Sequence, residues 1–517
     1  MMKQRIAVSK FLVAKLFTLA AIVFSVSQGF AADVIPGEYL VKYKDNAVIA
    51  GASLRSIGSV RIADHNPKGQ IFKVKIAQQN EAQALARVMT DPNVEYVVSN
   101  VKLYAVRAPL EIQTLKDQYA IKKVRAEEAW TRAGNRGSRS VTVAVIDTGI
   151  DYNHESLKPN MVAGFDFKEN DADPMDKTGS ANPGHGTHCA GIVGATGLVD
   201  GGVIGLSPEV SMMPLRFLGE DGSGDLNAGI KAIDYAIEKK VDIISASWGA
   251  TIGRAQAQPL VDAVKRADDA GLIFIVAAAN DGRNNDSTEV YPANSGFPNT
   301  ISVAASGPND EKPSWSNYGK RTVHVAAPGL NIMSSLPGNK YQNLSGTSMA
   351  TPLVSGLVAF LKAQDKSLTG AQVRALLQLT GAKVQIETAC NCRVDALSSV
   401  EMLLGNKMWI TPAAGTLGVG ETLKFEGTKG KAPFTFAVSN SSVGSIAADG
   451  TFTASAKGTT QVTVTDADGQ TSTSLDIVVA DKSATPPPGG GGACPIGDQQ
   501  MCDILCQIQP TLPFCNQ

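Results

Sequence analysis

Apolar and polar positions alternate along residues 37–43, the period of a half-buried strand. The alternation returns over 72–76, helical periodicity occupies 81–89, and 94–98 is strand-like again. That β, β, α, β order predicts a small α+β unit over residues 33–108. From 109 to 404 the pattern changes. Nearly continuous apolar runs at 141–146, 210–215, 243–246 and 273–277 alternate with helical stretches at 225–239 and 259–270. Such runs are strands buried on both faces, so the pattern predicts an α/β domain built on a parallel sheet. Ligands bind such sheets at the carboxyl ends of the strands. Asp147 follows one of these strands and Asn280 another. Residues 405–481 are rich in Thr, Ser, Gly and Val, with short alternating runs such as 461–465 and turn signals at Asp449-Gly450 and Asp468-Gly469. They predict an all-β sandwich module of Ig-like type. Residues 482–492 hold Pro486 to Pro488 and then Gly489 to Gly492, a linker stiff at first and then flexible. Residues 493–517 form a cysteine-rich tail.

Composition narrows the class. A chain of 517 residues with 43% hydrophobic and 18% charged content suits several core-forming domains. A net charge of −1 and the lack of a local basic cluster argue against nucleic acid or anionic lipid as partner. At the N-terminus, Lys3, Arg5, Lys10 and Lys15 precede an apolar run over 16–26 and the small residues Gly29, Ala31 and Ala32. This predicts a signal peptide over 1–32, an exported protein and no stable membrane insertion, since the run is too short to span about 30 Å of hydrocarbon. Of the seven cysteines, Cys494, Cys502, Cys506 and Cys515 crowd the tail, which reads as a disulfide-stapled element of open connectivity. Cys390 and Cys392 pair with each other or elsewhere, and Cys189 is left as a buried free thiol.

Three islands carry chemistry: Val143 to Asp151 around Asp147, Gly184 to Gly191 around His185, and Gly346 to Pro352 around Ser348. A carboxylate, an imidazole and a hydroxyl are the groups that nucleophilic acyl transfer needs. Serine attacks only when a base takes its proton, and a carboxylate must hold that base in the right tautomer. Asp147 ends an apolar strand, His185 sits between glycines at a helix start, and Ser348 opens a helix whose amide dipoles favour an oxyanion. Pro352 is expected in the first turn of that helix, where a missing N–H is tolerated. A metal hydrolase using His185 and His188 competes with this reading, although the glutamate of the zinc-protease pattern is missing.

With Asp, His and Ser in that chain order, the islands resemble the subtilisin family of serine proteases, and around His185 its thermitase- and proteinase K-like branch. The likeness extends to 117–121, 126–130, 313–319 and 326–329. It implies a parallel α/β fold and a secreted serine endopeptidase that forms an acyl-enzyme on Ser348. It further implies an oxyanion hole of Asn280 and the Ser348 N–H, and substrate binding along Ser247, Trp248 and Gly249 and against Ala278, Ala279 and Val290. Ala279 and Val290 stand where the family often has glycine, which predicts a shallow pocket for small or medium apolar residues. No cofactor is implied for catalysis. Structural calcium at Asp166 and Asp171 is an expectation of the likeness, whereas a second calcium position carries Ser156 in place of a liganding Asp. Residues 33–108 resemble an inhibitory pro-domain, so a self-processing zymogen cut between Tyr104 and Leu110 is expected, with its own pro-domain and protein substrates as partners and a monomeric state. The alternative from another class is a catalytically silent surface protein that binds through its C-terminal modules.

Overall fold

The computed structural model describes residues 34–101 and 117–481, apart from 45–46, 67–70, 78, 80, 90, 92, 180 and 225. The expected signal peptide, the cleavage window 104–110, the linker 482–492 and the tail 493–517 lie outside the described residues. The chain divides after Leu110 into two compact units.

The first unit runs β1 (Val34–Tyr43), α1 (Ala47–Ser56), β2 (Val60–Asn66), β3 (Ile71–Ile76), α2 (Glu81–Met89) and β4 (Val94–Val101). Its strands form an antiparallel sheet in the order β2-β3-β1-β4. Val41, Tyr43, Phe72 and Val74 from the sheet pack on Leu54, Ala84 and Val88 from the helices. The α+β class is as expected, but α1 and β2 extend the predicted order. The Ala-Val-Ile-Ala-Gly opening of α1 has no polar face to reveal a helical period, and β2 ends in Asp64, His65 and Asn66, which are poor strand formers.

The second unit opens with α3 (Tyr119–Lys123) and α4 (Ala126–Ala133). It continues β5 (Thr142–Asp147), β6 (Phe165–Asp166), α5 (His185–Gly194), β7 (Ser211–Arg216), α6 (Leu226–Glu238), β8 (Ile243–Ala246), α7 (Arg254–Asp269), β9 (Ile273–Ala277), β10 (Thr300–Ser306) and β11 (Val325–Pro328). Then come the hairpin β12 (Ile332–Leu336) and β13 (Lys340–Leu344), the long helix α8 (Thr347–Gln364), α9 (Gly370–Thr380), β14 (Ala382–Lys383), β15 (Cys392–Arg393) and α10 (Ala396–Leu404). The predicted strands fall within a residue of those observed. Helix α7 begins at Arg254 rather than 259, because Arg, Ala and Gln before Pro259 are good helix formers.

Nine strands make one sheet in the order β14-β15-β11-β10-β9-β8-β5-β7-β6, parallel except for β14. The continuous apolar runs have their physical reason in its two covered faces. On β5, Val143 and Val145 enter the core on one face, while Ala144 and Ile146 enter the core on the other. Ile273 and Ile275 of β9 alternate in the same way with Phe274 and Val276. From β5 the chain continues to the β7 side, and from β8 to the β9 side. The crevice between the carboxyl ends of β5 and β8 is therefore a topological switch point, where such sheets bind ligands.

Residues from Trp409–Thr411 to Ile477–Ala480 form a module of short strands in small sheets around Ile410, Phe425, Phe452, Val462 and Val464. Cys390 and Cys392 are joined in a disulfide, and Cys189 is free and buried. No described helix is long and apolar enough to cross a membrane.

Candidate active site

Asp147, at the carboxyl end of β5, is 1% exposed. Its Oδ1 accepts from the Thr148 N–H at 2.7 Å and from His185 Nδ1 at 2.7 Å. His185 is the first residue of α5. Two tight approaches bring its helix onto the Asp147 turn. A Cβ on Gly186 would lie 2.1 Å from the Gly149 carbonyl oxygen and 3.2 Å from Asp147 Cβ, so only glycine lets the helix sit this close. Burial opposes a charged ring at His185, but the Asp147 carboxylate beside it outweighs burial and holds the imidazole well above its ordinary 6.5.

Ser348 is the second residue of α8. Its Oγ donates to the Ser247 carbonyl at 3.3 Å, and the Ser247 hydroxyl donates to the Ser348 carbonyl at 3.0 Å. Cys189 Sγ donates to that same carbonyl at 3.4 Å and lies 3.9 Å from His185 Nδ1, so one thiol touches both the imidazole and the serine. These contacts correct the expectation for Pro352. The helix starts at Thr347, which places Pro352 inside it and beyond the first turn. A proline there cannot donate to the carbonyl four residues earlier, which is that of Ser348. Ser247 and Cys189 supply the missing donors. The buried thiol is thus built into the backbone of the site, and burial pushes its titration upward, away from thiolate.

Asn280 follows β9. Its Oδ1 accepts from the Thr347 N–H and the Thr347 hydroxyl, both at 2.9 Å, which fixes the amide and turns Nδ2 the other way. A Cβ built on Gly346 would lie 3.4 Å from Ser348 N and 3.5 Å from Asn280 Nδ2. Gly346 therefore leaves open a small space onto which two N–H donors converge, the geometry an oxyanion needs.

Ser247, Trp248 and Gly249 continue the chain from the carboxyl end of β8. Ala250 and Tyr291 pin it by exchanging two backbone hydrogen bonds of 2.9 Å. Trp248 stacks edge-on against Phe217 with ring centroids 4.8 Å apart. Ala279 has φ +87°, a left-handed backbone that favours glycine, and it packs partly buried against the core that holds Val290. A Val290 methyl reaches to 3.5 Å from the position of a Cβ on Gly249. Ala278, by contrast, is buried against Ala304, Val323 and Ala326, so it offers no side chain to a substrate.

Other expectations meet a different geometry. The Asp166 carboxylate pairs with the buried Arg216 guanidinium through Oδ2, and its Oδ1 accepts from the Lys168 and Glu169 amides at 2.7 and 3.1 Å. Arg216 also reaches Glu169 at 3.1 Å, and Asp171 Oδ1 accepts from the Asp173 amide at 2.8 Å. A guanidinium already fills the place of a cation, so these residues do not fit calcium at Asp166 and Asp171. At the second position the Ser156 hydroxyl lies 2.7 Å from the Tyr341 hydroxyl. His188 does not join His185 in a metal site. Its Nε2 faces the Gln342 carbonyl at 3.0 Å, and burial pushes the ring down to about 4. The pattern of the chain also missed Asp176, Asn182 and Thr187. They surround the acid–base pair with hydrogen bonds, and only their place on either side of His185 hints at it.

The Subtilase family model matches residues 138–394, a Fervidolysin N-terminal prodomain model matches 21–100, and a bacterial Ig-like domain (group 2) model matches 406–477. A thermophilic serine proteinase of Bacillus sp. (strain AK1) is 34% identical over 68% of this chain and 83% of its own. Thermitase of Thermoactinomyces vulgaris is 38% identical over 52% of this chain and 89% of its own. A solved cold-adapted subtilisin-like serine proteinase is 31% identical over 49% of this chain and 86% of its own, with a TM-score of 0.43. The chain belongs to the subtilase family and is a serine endopeptidase with an N-terminal prodomain and a C-terminal Ig-like domain.

Proposed function

We propose that the protein is exported as a self-processing zymogen and cleaves peptide bonds through an acyl-enzyme on Ser348. In this reading His185 takes the Ser348 hydroxyl proton as the oxygen attacks the substrate carbonyl. Asp147 holds the imidazole through Nδ1 and stabilises its charge. Asn280 Nδ2 and the Ser348 N–H receive the oxyanion, and His185 returns the proton to the leaving amine. The observation that carries the reading is the 2.7 Å contact of His185 with a buried Asp147, beside a donor-lined space that a single methyl on Gly346 would fill.

An extended substrate adds as a strand along Ser247–Gly249. Ala279 and Val290 narrow the pocket for the residue before the cut, so small or medium apolar residues are preferred there. A peptide series in which Phe or Tyr is cut faster than Ala or Leu would overturn that preference. The export signal over 1–32 and a cut between 104 and 110 complete the scheme, with the prodomain as intramolecular inhibitor. A fluorophosphonate is expected to label wild type and not Ser348→Ala, and purified Ser348→Ala is expected to stay uncut. Maturation of that variant on its own would remove self-processing. An unlabelled wild type would remove the catalytic reading.

A further inference from the structure

Asp176 is 4% exposed, lies outside the triad, and forms no ion pair among the described residues. Four neutral donors converge on its carboxylate. Oδ1 accepts from the Thr148 hydroxyl at 2.9 Å and the Asn182 amide at 3.0 Å. Oδ2 accepts from the Thr187 N–H at 2.9 Å and the Thr187 hydroxyl at 2.6 Å. A buried carboxylate is expensive, so a group satisfied this completely has a structural task to explain it.

The donors show what the task is. Thr148 follows Asp147, and its N–H binds the same Asp147 Oδ1 that His185 binds. The Thr148 hydroxyl donates to Asp176 and accepts from the Gly186 N–H at 2.8 Å. Asn182, held by Asp176 through its Nδ2, accepts with Oδ1 from the N–H groups of Gly184 and His185 at 3.0 and 2.8 Å. The first amides of α5 lack partners within the helix, and its cap residue Gly184 has no side chain to offer one. Asn182, Thr148 and Asp176 satisfy them from outside, one after another, for His185, Gly186 and Thr187. The loop that carries Asp176 also presses on the Asp147 turn, since the Ile150 N–H donates to the Pro174 carbonyl at 3.0 Å.

We infer that Asp176 is the positioning residue of the acid–base pair: it ties the strand end bearing Asp147 to the helix start bearing His185 and so sets the separation and tilt of the imidazole against its carboxylate. It touches no substrate. The hydroxyl of Thr148 is the link through which it acts on Asp147, and Asn182 and Thr187 are the links to His185. The inference rests on the reading of His185 as general base.

The test compares purified, processed wild type with Asp176→Asn, Thr148→Val and Thr148→Ser, each counted by fluorophosphonate titration of Ser348. Asp176→Asn keeps the shape but turns an NH2 toward groups that donate. Per titrated site, kcat is expected to fall about tenfold or more with KM within about twofold, as for a misaligned catalytic pair. The acid limb of the kcat profile is expected to move down, because a displaced Asp147 supports the imidazolium less. Thr148→Val, which removes one hydroxyl, is expected to follow in both respects, and Thr148→Ser to restore them. Should Asp176→Asn not accumulate as folded protein, the two Thr148 variants decide. Unchanged kcat and acid limb per titrated site, in Asp176→Asn or in Thr148→Val, would overturn the inference. Wild type that takes no label would overturn the serine mechanism itself, a result distinct from either.

Discussion

At the scale of single residues the site depends on empty space as much as on side chains. Gly346 has an extended backbone that any residue adopts, so what it contributes is the lack of a methyl in front of Ser348 N and Asn280 Nδ2. Gly346→Ala is therefore expected to fold and to lose turnover by about 10²–10³-fold, the effect of removing an oxyanion donor. Asn280→Ala is expected to lose a similar amount, and the double variant much less than the product, because both changes disable one hole. Steady-state kinetics on one peptide substrate checks all three. His185 sets a second prediction. As a base the ring works unprotonated, so activity falls as pH drops through its pKa. Asp147 raises that pKa above 6.5, which places the acid limb above the range of an ordinary histidine. In Asp147→Asn the limb is expected to move down, because burial then acts on the ring without the carboxylate to oppose it, while the plateau falls by about 10⁴-fold, through loss of the tautomer. A kcat profile over the acid range in both proteins measures it.

At the scale of elements, the loop after β6 shows how a buried charge is managed. Arg216 at the end of β7 is 2% exposed and Asp166 is 0% exposed, and each is the other's counter-charge. Removing one partner strands the other in the interior. Arg216→Met is expected to cost about 3–5 kcal/mol, read as a lower urea midpoint at unchanged slope. The acidic run over 166–173 suggested calcium because sequence shows ligands and not their partners. Arg216 lies in a different strand, and only the parallel pairing of β6 with β7 brings it to Asp166. The same limit explains the other gaps. The four strands buried on both faces were legible because burial on both faces removes polar positions altogether. The contact of Asp147 with His185 was legible because Gly149, Gly184 and Gly186 mark tight approaches. Asp176, Asn182 and Thr187 were not, since a polar residue in a loop looks the same whether it is solvated or satisfies a buried helix end. The hairpin of β12 and β13, whose Gln342 carbonyl holds His188, is mostly polar on its second strand and gave no periodic signal.

At the scale of the whole second unit, the Ig-like module is packed onto the peptidase domain and does not hang from it. Trp409, in the first strand of the module, is 0% exposed and belongs to the peptidase core; its Nε1–H donates to the Gln372 carbonyl of α9 at 3.2 Å. Leu379 of the same helix packs against both cores. Lys429 of the module pairs with Asp365, just past α8. Burial works against that carboxylate, but Lys429 and the Ser367 hydroxyl and amide outweigh it and bring Asp365 down to about 2 from an ordinary 3.8. A carboxylate with a depressed pKa lends stability above the unfolded value and loses it as pH falls toward the folded one. The pair therefore supports the junction at pH 5 and stops supporting it between about 4 and 2. Trp409→Ala removes the larger support, a buried aromatic whose truncation costs about 3–5 kcal/mol. If the two parts unfold as one body, wild type gives a single urea transition, whereas Trp409→Ala gives two, with the Ig-like strands and the active site lost at different midpoints. Fluorophosphonate labelling follows the active site and limited proteolysis between 404 and 409 follows the junction. Coincident transitions in the variant would mean that the module is held by contacts other than this tryptophan.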